Sequence, residues 1–422
     1  METIAPEEVG LCGIRLERIG TWLQEQVDSG RLAGCSALVA REGKIAYHQA
    51  VGQRDVAQAL PFTKDTVVRI FSMTKPITTV AAMMLYERGA FQFDDPVALY
   101  LPEFAHTPVW QGGAINETEP QKDPMTVRHL MTHTSGLTYG FMQANAVDAA
   151  YREARLDDPR QVSDLAQMVQ CISEIPLLCQ PGSQWNYSVS TDVLGRLVEV
   201  WSGKSLREFI LQEICQPLNM QDTDFHVSDV NHERFASLYV PASGGDMSSV
   251  GRSSSKYQTA DRGGLKLQDA ATTSHYLRPA TIYSGGGGLV GSIKDYARFC
   301  QMLLNGGALE NVRLLSRKTV EYMFQNQLPD NRDMAAMGQP VWSETSYDGI
   351  GFGLGGAVVL DPIKAHVVTS PGEYHWGGAA STFFWIDPEE DLTCVFFTQL
   401  MPSSTYPIRR ELRVRVYQAL VD

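Results

Sequence analysis

Strand-forming runs lie at both ends of the chain and enclose a middle section rich in helical patterns and turns, and this arrangement constrains the fold most strongly. Near the N-terminus, residues 37–40 and 45–50 flank turn-forming residues 41–44 and predict a hairpin. Near the C-terminus, strands are predicted at residues 352–360, 365–369, 380–386 and 392–398. We expect one sheet built from both ends, with the middle of the chain inserted as a helical domain.

Helical periodicity supports this division. Apolar residues from Leu16 to Val27 predict an opening amphipathic helix, and a second helix starts near Ser72 and stops at Gly89. Further helices are predicted at residues 126–133, 162–174, 190–202, 205–214 and 406–420. The domains are therefore predicted as residues 1–90 with 281–422, and residues 91–280. Within the second domain, residues 243–264 are rich in Gly, Ser and Arg and predict a long surface loop.

The charge balance argues against two classes of partner. The chain has 48 acidic and 35 basic residues, a formal net charge of −13. Such a surface repels nucleic-acid phosphates and anionic membranes, so we expect neither as a partner. No apolar run reaches the roughly 18 residues of a membrane-spanning helix, and the N-terminus lacks a signal-peptide pattern. The seven cysteines are odd in number and widely spaced, which favours reduced thiols and a cytoplasmic location.

The strongest chemical signal is Ser72-Met73-Thr74-Lys75, an S-x-x-K motif at a predicted helix start. Residues three apart share a helix face, so the lysine amine can accept the serine proton and activate the hydroxyl as a nucleophile. On its own the motif also fits a capped helix with an exposed lysine. A second copy at residues 253–256 lies in the polar loop without apolar periodicity behind it and is set aside.

Two further segments could contribute to a site, one through a polar side chain and the other through backbone that can lie close to a ligand. Tyr187 follows a Pro-Gly turn and precedes a predicted helix, where its phenol can project into a cleft. His375-Trp376-Gly377-Gly378-Ala379 precedes a predicted strand, and paired glycines let backbone approach a ligand closely. Each segment alone also fits an ordinary half-buried tyrosine or a plain turn. The loop that holds Tyr139 and Phe141 is expected to overhang the cleft.

Taken together and in this order, the three segments resemble the class C β-lactamase-like superfamily of penicillin-recognising serine enzymes, over nearly the full chain. Four stretches at residues 126–137, 181–188, 192–195 and 287–292 support the resemblance. Within the superfamily, Trp376-Gly377-Gly378 resembles family VIII carboxylesterases, whereas β-lactamases have Lys or His, then Thr or Ser, then Gly there. Val189 is another departure, since class C β-lactamases have Asn at that position.

The resemblance implies a fold class and roles for individual residues. The implied fold is α+β, with an antiparallel sheet flanked by helices plus an inserted, mostly helical domain. Ser72 would be the nucleophile, with Lys75 and Tyr187 as its acid–base partners, and the backbone N–H groups of Ser72 and Ala379 would form the oxyanion hole. The implied substrate-binding residues are the four that precede Ala379, namely His375, Trp376, Gly377 and Gly378.

The sequence signals for metal and nucleotide sites are weak. His129 and His133 have the i, i+4 spacing of metal ligands, but no third ligand and no HExxH motif accompany them. Gly203-Lys204-Ser205 lacks the first glycine of a P-loop, and no GxSxG nucleophile elbow is present. We expect neither a metal nor a cofactor.

The predicted function is serine carboxylesterase activity on small esters with short- to medium-chain acyl groups. The alternatives are a β-lactamase or D,D-peptidase, an acyltransferase to an alcohol acceptor, and a non-enzymatic binding protein. Weak β-lactam hydrolysis is compatible with the main prediction. The oligomeric state is left open.

Overall fold

Eight antiparallel strands form the central sheet of the protein, whose computed structural model describes residues 1–156, 162–243, 264–338, 347–403 and 405–421. Along the sheet the order is β12-β13-β14-β15-β16-β1-β2-β3. These strands are β1 Gly34–Arg41, β2 Lys44–Asp55, β3 Leu60–Pro61, β12 Ile350–Phe352, β13 Ala357–Val359, β14 Tyr374–Gly377, β15 Phe383–Asp387 and β16 Leu392–Thr398. The prediction of one antiparallel sheet built from both ends of the chain is confirmed.

Shorter strands and the helices complete the fold. The remaining strands are β4 Val67–Arg69, β5 Val109–Trp110, β6 Thr118–Glu119, β7 Leu238–Pro241, β8 Leu265–Asp269, β9 Val290–Ser292, β10 Ala308–Leu309 and β11 Val312–Arg313. The α-helices are α1 Gly13–Asp28, α2 Thr74–Glu87, α3 Val127–Met131, α4 Ala146–Ala154, α5 Leu165–Ser173, α6 Ser190–Ser202, α7 Leu206–Ile210, α8 Ile293–Leu304, α9 Arg317–Met323, α10 Met334–Met337, α11 Pro362–Ala365 and α12 Ile408–Tyr417. Within these described ranges, no helix combines the length and apolarity needed to cross a membrane.

Both faces of the sheet are buried because successive side chains of a strand point to opposite sides. Along β1, Ala37 and Val39 pack in the cluster that includes α1 and α12, whereas Leu38 and Ala40 pack in the cluster that includes α2 and α8. The sheet therefore has helices on both faces, as the α+β prediction requires.

The middle of the chain packs on the same core as the sheet. Helix α2 contacts α6, and buried residues of both belong to one apolar cluster that extends to the sheet. Four short strands, β5 to β8, lie in this section together with α3 to α7. The domain boundaries at residues 90 and 280 stay predictions. Most of the predicted loop at 243–264, with the second S-x-x-K copy, lies outside the described residues.

Two C-terminal strand predictions are wrong in detail. The single strand predicted at residues 352–360 is a hairpin of β12 and β13, because Gly355 adopts the left-handed backbone conformation at φ +80° and turns the chain. The strand predicted at residues 365–369 is absent from the described structure. Helix α11 ends there instead, with Asp361 capping its first N–H groups and His366 left-handed at its C-terminus.

Candidate active site

Ser72 lies on the turn that joins β4 to α2. Residues Phe71–Met73 form one turn of 3-10 helix, and α2 follows at Thr74. Phe71 has φ +44°, in the left-handed region that is uncommon for a side chain of this size. The serine is only 9% exposed. The predicted helix start near Ser72 is therefore confirmed, and Gly89 at φ +77° follows the helix where its end was predicted.

Lys75 occupies the first turn of α2 and is fully buried, which requires that its ammonium be hydrogen-bonded. Its Nζ donates to Ser72 Oγ at 3.2 Å, to the Tyr139 hydroxyl at 3.0 Å and to the carbonyl oxygen of Gly286 at 2.7 Å. The ammonium also lies 4.6 Å from the ring centroid of Tyr187, within cation–π range. These contacts hold the amine beside the serine hydroxyl.

Tyr187 also contacts the hydroxyl of Ser72. Its O–H donates to Ser72 Oγ at 2.6 Å, although the two residues are 115 positions apart in the chain. The structure therefore brings together the three residues for which the sequence predicted catalytic roles. Ser72 Oγ receives two hydrogen bonds, one from an amine and one from a phenol, and both groups can exchange protons with it.

His133 fixes the segment that carries Tyr187. Its carbonyl oxygen accepts from the N–H of Asn186 at 2.7 Å, and its Nδ1 lies 3.1 Å from Ser188 Oγ. Burial, together with the positive charge of Lys75, holds the pKa of His133 well below its usual range, so the imidazole is neutral. This histidine therefore braces the residues on both sides of Tyr187.

Tyr139 is a site residue whose contact with Lys75 the sequence did not predict. It was expected only to overhang the cleft, but its hydroxyl accepts the hydrogen bond from Lys75, and its ring stacks on Phe141 with centroids 4.6 Å apart. Burial and the nearby Tyr187 and Asp192 raise its pKa well above the usual value, so the phenol stays protonated. No periodicity in residues 137–142 signals this role.

A second missed group lies behind Lys75. Asp192, in the first turn of α6, is 2% exposed, and its Oδ1 accepts from Ser284 Oγ at 2.5 Å and from the N–H of Gly286 at 3.0 Å. Burial raises the pKa of Asp192, whereas Lys75 and the two donors oppose that rise. The glycine run at residues 285–288 is thus anchored to α2 and to α6 at once.

Strand β14 forms another wall of the site. The Trp376 ring centroid lies 5.5 Å from that of Tyr187 and 5.3 Å from that of Phe352, and the indole is 9% exposed. Within the described structure, its Nε1–H meets no hydrogen-bond acceptor. The indole therefore presents an apolar surface and one unused donor near the Ser72 machinery.

The two glycines after Trp376 lie where a side chain would collide with neighbouring atoms of the protein, and their approach to a ligand stays a prediction. A Cβ atom on Gly378 would stand 2.3 Å from the carbonyl oxygen of Ile70, two residues before Ser72. A Cβ atom on Gly377 would stand 2.3 Å from Nη2 of Arg409, on α12. Ala379 follows directly and is 7% exposed. The oxyanion hole formed by the N–H groups of Ser72 and Ala379 stays a prediction.

His375 lies on the other face of the sheet, away from Trp376. Its Nδ1 is 2.9 Å from Oε1 of Glu373, which also accepts from Arg413 Nη2 at 2.6 Å. Burial lowers the pKa of His375 although Glu373 opposes the shift. The structure therefore does not bring His375 to Ser72, because neighbouring side chains of β14 point to opposite sides.

The histidine pair at i, i+4 serves structural roles. Nδ1 of His129 accepts from the N–H of Thr126 at 3.2 Å, and Thr126 Oγ1 accepts from the N–H of His129, so the pair caps α3. Across the ranges that the structure describes, no group of three His, Cys, Asp or Glu side chains is arranged to hold a metal ion.

Comparison with known proteins places this geometry in a family. A family model described as Beta-lactamase matches residues 19–418. Esterase EstB of Burkholderia gladioli is 31% identical over 404 residues, covering 95% of this chain and 94% of that protein. Monacolin J acid methylbutanoyltransferase of Aspergillus terreus is 27% identical over 410 residues, covering 93% of this chain and 92% of that protein.

A solved structure gives the same result at the level of the fold. The structure of EstCE1, described as a hydrolase with promiscuous acyltransferase activity, superposes with a TM-score of 0.75 at 28% identity. The match covers 96% of this chain and 98% of that one. The similarity therefore extends over the whole architecture and not over one motif.

Proposed function

The chain belongs to the Beta-lactamase family, and we propose that it is a carboxylesterase of the family VIII type that cleaves esters through an acyl-enzyme on Ser72. The observation that carries the proposal is the pair of hydrogen bonds that Lys75 and Tyr187 donate to Ser72 Oγ, at 3.2 and 2.6 Å. The similarity to Esterase EstB and to EstCE1 supports ester hydrolysis as the reaction. The cytoplasmic location and the short- to medium-chain acyl preference stay predictions.

In the acylation step, Ser72 Oγ attacks the ester carbonyl carbon while its proton passes to the Lys75 and Tyr187 pair. The carbonyl oxygen takes up negative charge, which the N–H groups of Ser72 and Ala379 are proposed to stabilise. The bond to the alcohol oxygen then breaks, and Tyr187 returns the proton to that oxygen. Because the amine and the phenol are both hydrogen-bonded to the same hydroxyl, they exchange its proton as one unit.

In the deacylation step, the same pair takes a proton from water, whose oxygen attacks the acyl carbon. The carboxylic acid leaves, and Ser72 recovers its proton. An alcohol in place of water would give transfer of the acyl group and the same return of the proton. Acyl transfer is therefore a second candidate activity, favoured by the similarity to a methylbutanoyltransferase and to EstCE1.

Trp376 favours neutral esters over β-lactams. β-Lactams and peptidoglycan stems carry a carboxylate beside the scissile bond, and a Lys at this position would supply a cation for it. The indole supplies an apolar face and one N–H instead. His375 does not replace the missing cation, because its side chain lies on the far face of β14 against Glu373.

A panel of p-nitrophenyl acyl esters and a chromogenic cephalosporin, each with and without acceptor alcohols, tests the proposal. We expect ester hydrolysis to dominate, Ser72→Ala to lose essentially all of it while staying folded, and a fluorophosphonate to add one covalent mass on the Ser72 peptide. A dominant rate on the cephalosporin would favour the β-lactamase alternative. A dominant ester product in alcohol would favour the acyltransferase, and no turnover would favour a binding protein. Labelling at Ser253 would reject Ser72.

A further inference from the structure

Asp192 is a buried acidic group that the proposed chemistry does not use. It lies at the start of α6, and a carboxylate removed from water needs donors and a nearby positive charge. Two donors are present, Ser284 Oγ at 2.5 Å and the N–H of Gly286 at 3.0 Å, both on the same oxygen, Oδ1. The positive charge is that of Lys75, which lies on the other side of Gly286.

Gly286 connects this carboxylate to Lys75. Its N–H donates to Asp192, and its carbonyl oxygen accepts from Lys75 Nζ at 2.7 Å. The glycine is required, because a Cβ atom at position 286 would stand 2.5 Å from Oδ2 of Asp192. The N–H of this glycine thus meets an acidic group while its C=O meets a basic one.

We propose that Asp192 is the counter-charge and positioning residue of Lys75, that it acts through Gly286, and that it sets the pH at which Ser72 becomes reactive. The inference rests on the proposed function, since it needs Lys75 to exchange protons with Ser72. Asp192 contacts Ser284 and Gly286 but not Ser72 itself, so it is a positioning residue and not a catalytic one.

Among the residues that the structure describes, the groups around Asp192 and Lys75 carry no charge besides these two. From α2 comes Lys75, from the segment before α4 comes Tyr139, and from the segment before α6 comes Tyr187. Tyr139 is held protonated, and His133, behind Tyr187, is held neutral. Tyr187 is bonded to the same serine oxygen as Lys75 and shares its proton exchange.

The direction of the effect follows from charge alone. To act as a base, the Lys75 and Tyr187 pair must lose one net proton, whichever of the two releases it. A nearby negative charge opposes that loss, so the pair becomes active at a higher pH than it would without Asp192. Asp192→Asn removes the charge and keeps an oxygen that can accept from Gly286.

The test is the pH profile of kcat/KM for p-nitrophenyl butyrate. In Asp192→Asn we expect the acidic limb to move to lower pH by about one unit or more, the size expected for a unit charge one bridging residue away at an effective dielectric constant of about 20. The high-pH plateau should fall less than about tenfold, because the Gly286 contact can persist. A purely structural role would lower the plateau or the melting temperature and leave the limb in place.

The control is Asp148→Asn, another fully buried aspartate, which accepts from Thr138 Oγ1 at 2.7 Å and from the N–H of Ala144 at 2.8 Å. This variant should keep the wild-type limb. If Asp192→Asn does not fold, Ser284→Ala decides instead. Without the Ser284 hydroxyl, the carboxylate of Asp192 holds its own proton more tightly and carries less negative charge. The acidic limb of Ser284→Ala should then move to lower pH by less than that of Asp192→Asn.

The inference is overturned if folded Asp192→Asn has the same acidic limb as wild type. If Ser284→Ala is used in its place, an unmoved limb in that variant overturns it. So does an equal shift in Asp148→Asn. Failure of the proposed function looks different, because the wild-type protein would then not be labelled at Ser72 by the fluorophosphonate. Labelling at Ser72 with an unmoved limb overturns the role of Asp192 alone.

Discussion

Replacing Tyr139 with Phe removes the hydroxyl that accepts a hydrogen bond from Lys75 and leaves the aromatic ring in place. Lys75 then keeps two of its three hydrogen-bond acceptors, Ser72 Oγ and the carbonyl of Gly286, and the third N–H of a fully buried ammonium loses its partner. A hydrogen bond to a charged group contributes roughly 1.5–3 kcal/mol. Since about 1.4 kcal/mol is a factor of ten, we expect kcat/KM on the high-pH plateau to fall about 10- to 150-fold, because this hydrogen bond stabilises the positive charge that forms as the pair takes the Ser72 proton.

The assay is kcat and KM for p-nitrophenyl butyrate, together with the rate at which a fluorophosphonate labels Ser72. Both rates should fall by the same factor, because the reactivity of the serine is what changes. Tyr151→Phe is the control, since it removes another buried tyrosine hydroxyl, on α4, that does not contact Lys75. The reasoning is refuted if Tyr139→Phe stays within about threefold of wild type, or if Tyr151→Phe loses as much.

Three further outcomes are expected. Lys75→Ala and Tyr187→Phe should each cost orders of magnitude in kcat, and the double variant little more, because groups that act as a unit are non-additive; multiplicative losses in the double-mutant cycle would contradict this. Trp376→Lys should narrow the kcat/KM gap between p-nitrophenyl butyrate and a cephalosporin by about 10- to 150-fold, and an unchanged ratio would count against the role of the indole. Burial and the charge of Asp222 raise the pKa of Asp295 to about 6. The stability that the neutral carboxyl contributes is present below about pH 4 and is lost as the pH rises through about 6. In denaturant unfolding, the free energy of unfolding of Asp295→Asn should therefore rise relative to wild type between those pH values, by up to about 3 kcal/mol. A difference in unfolding free energy that does not change with pH would exclude the shift.

The local features of the site were readable from the sequence. Ser72 and Lys75 are three residues apart at a helix start, and helix geometry alone places such side chains on one face. The hairpin of β1 and β2 and the stop of α2 at Gly89 also follow from short patterns, because strand alternation and a left-handed glycine depend on adjacent residues.

The alternation of side chains along β14 decides which of its residues face the site. His375 and Trp376 were both predicted to bind substrate, with the strand starting only at residue 380. The structure places both within Tyr374–Gly377, so their side chains point to opposite faces and only Trp376 lies beside Tyr187. The period of two in β14 is the physical reason that these neighbours are separated.

The remaining partners of Lys75 were decided by the tertiary structure. Tyr139 is 64 positions from Lys75 and Gly286 is 211, and Asp192 reaches the lysine only through Gly286. No pattern within a helix or strand specifies such contacts. They exist because packing α2 against α6 buries the ammonium of Lys75, and a buried charge must be matched by whatever oxygen atoms the packed elements bring beside it.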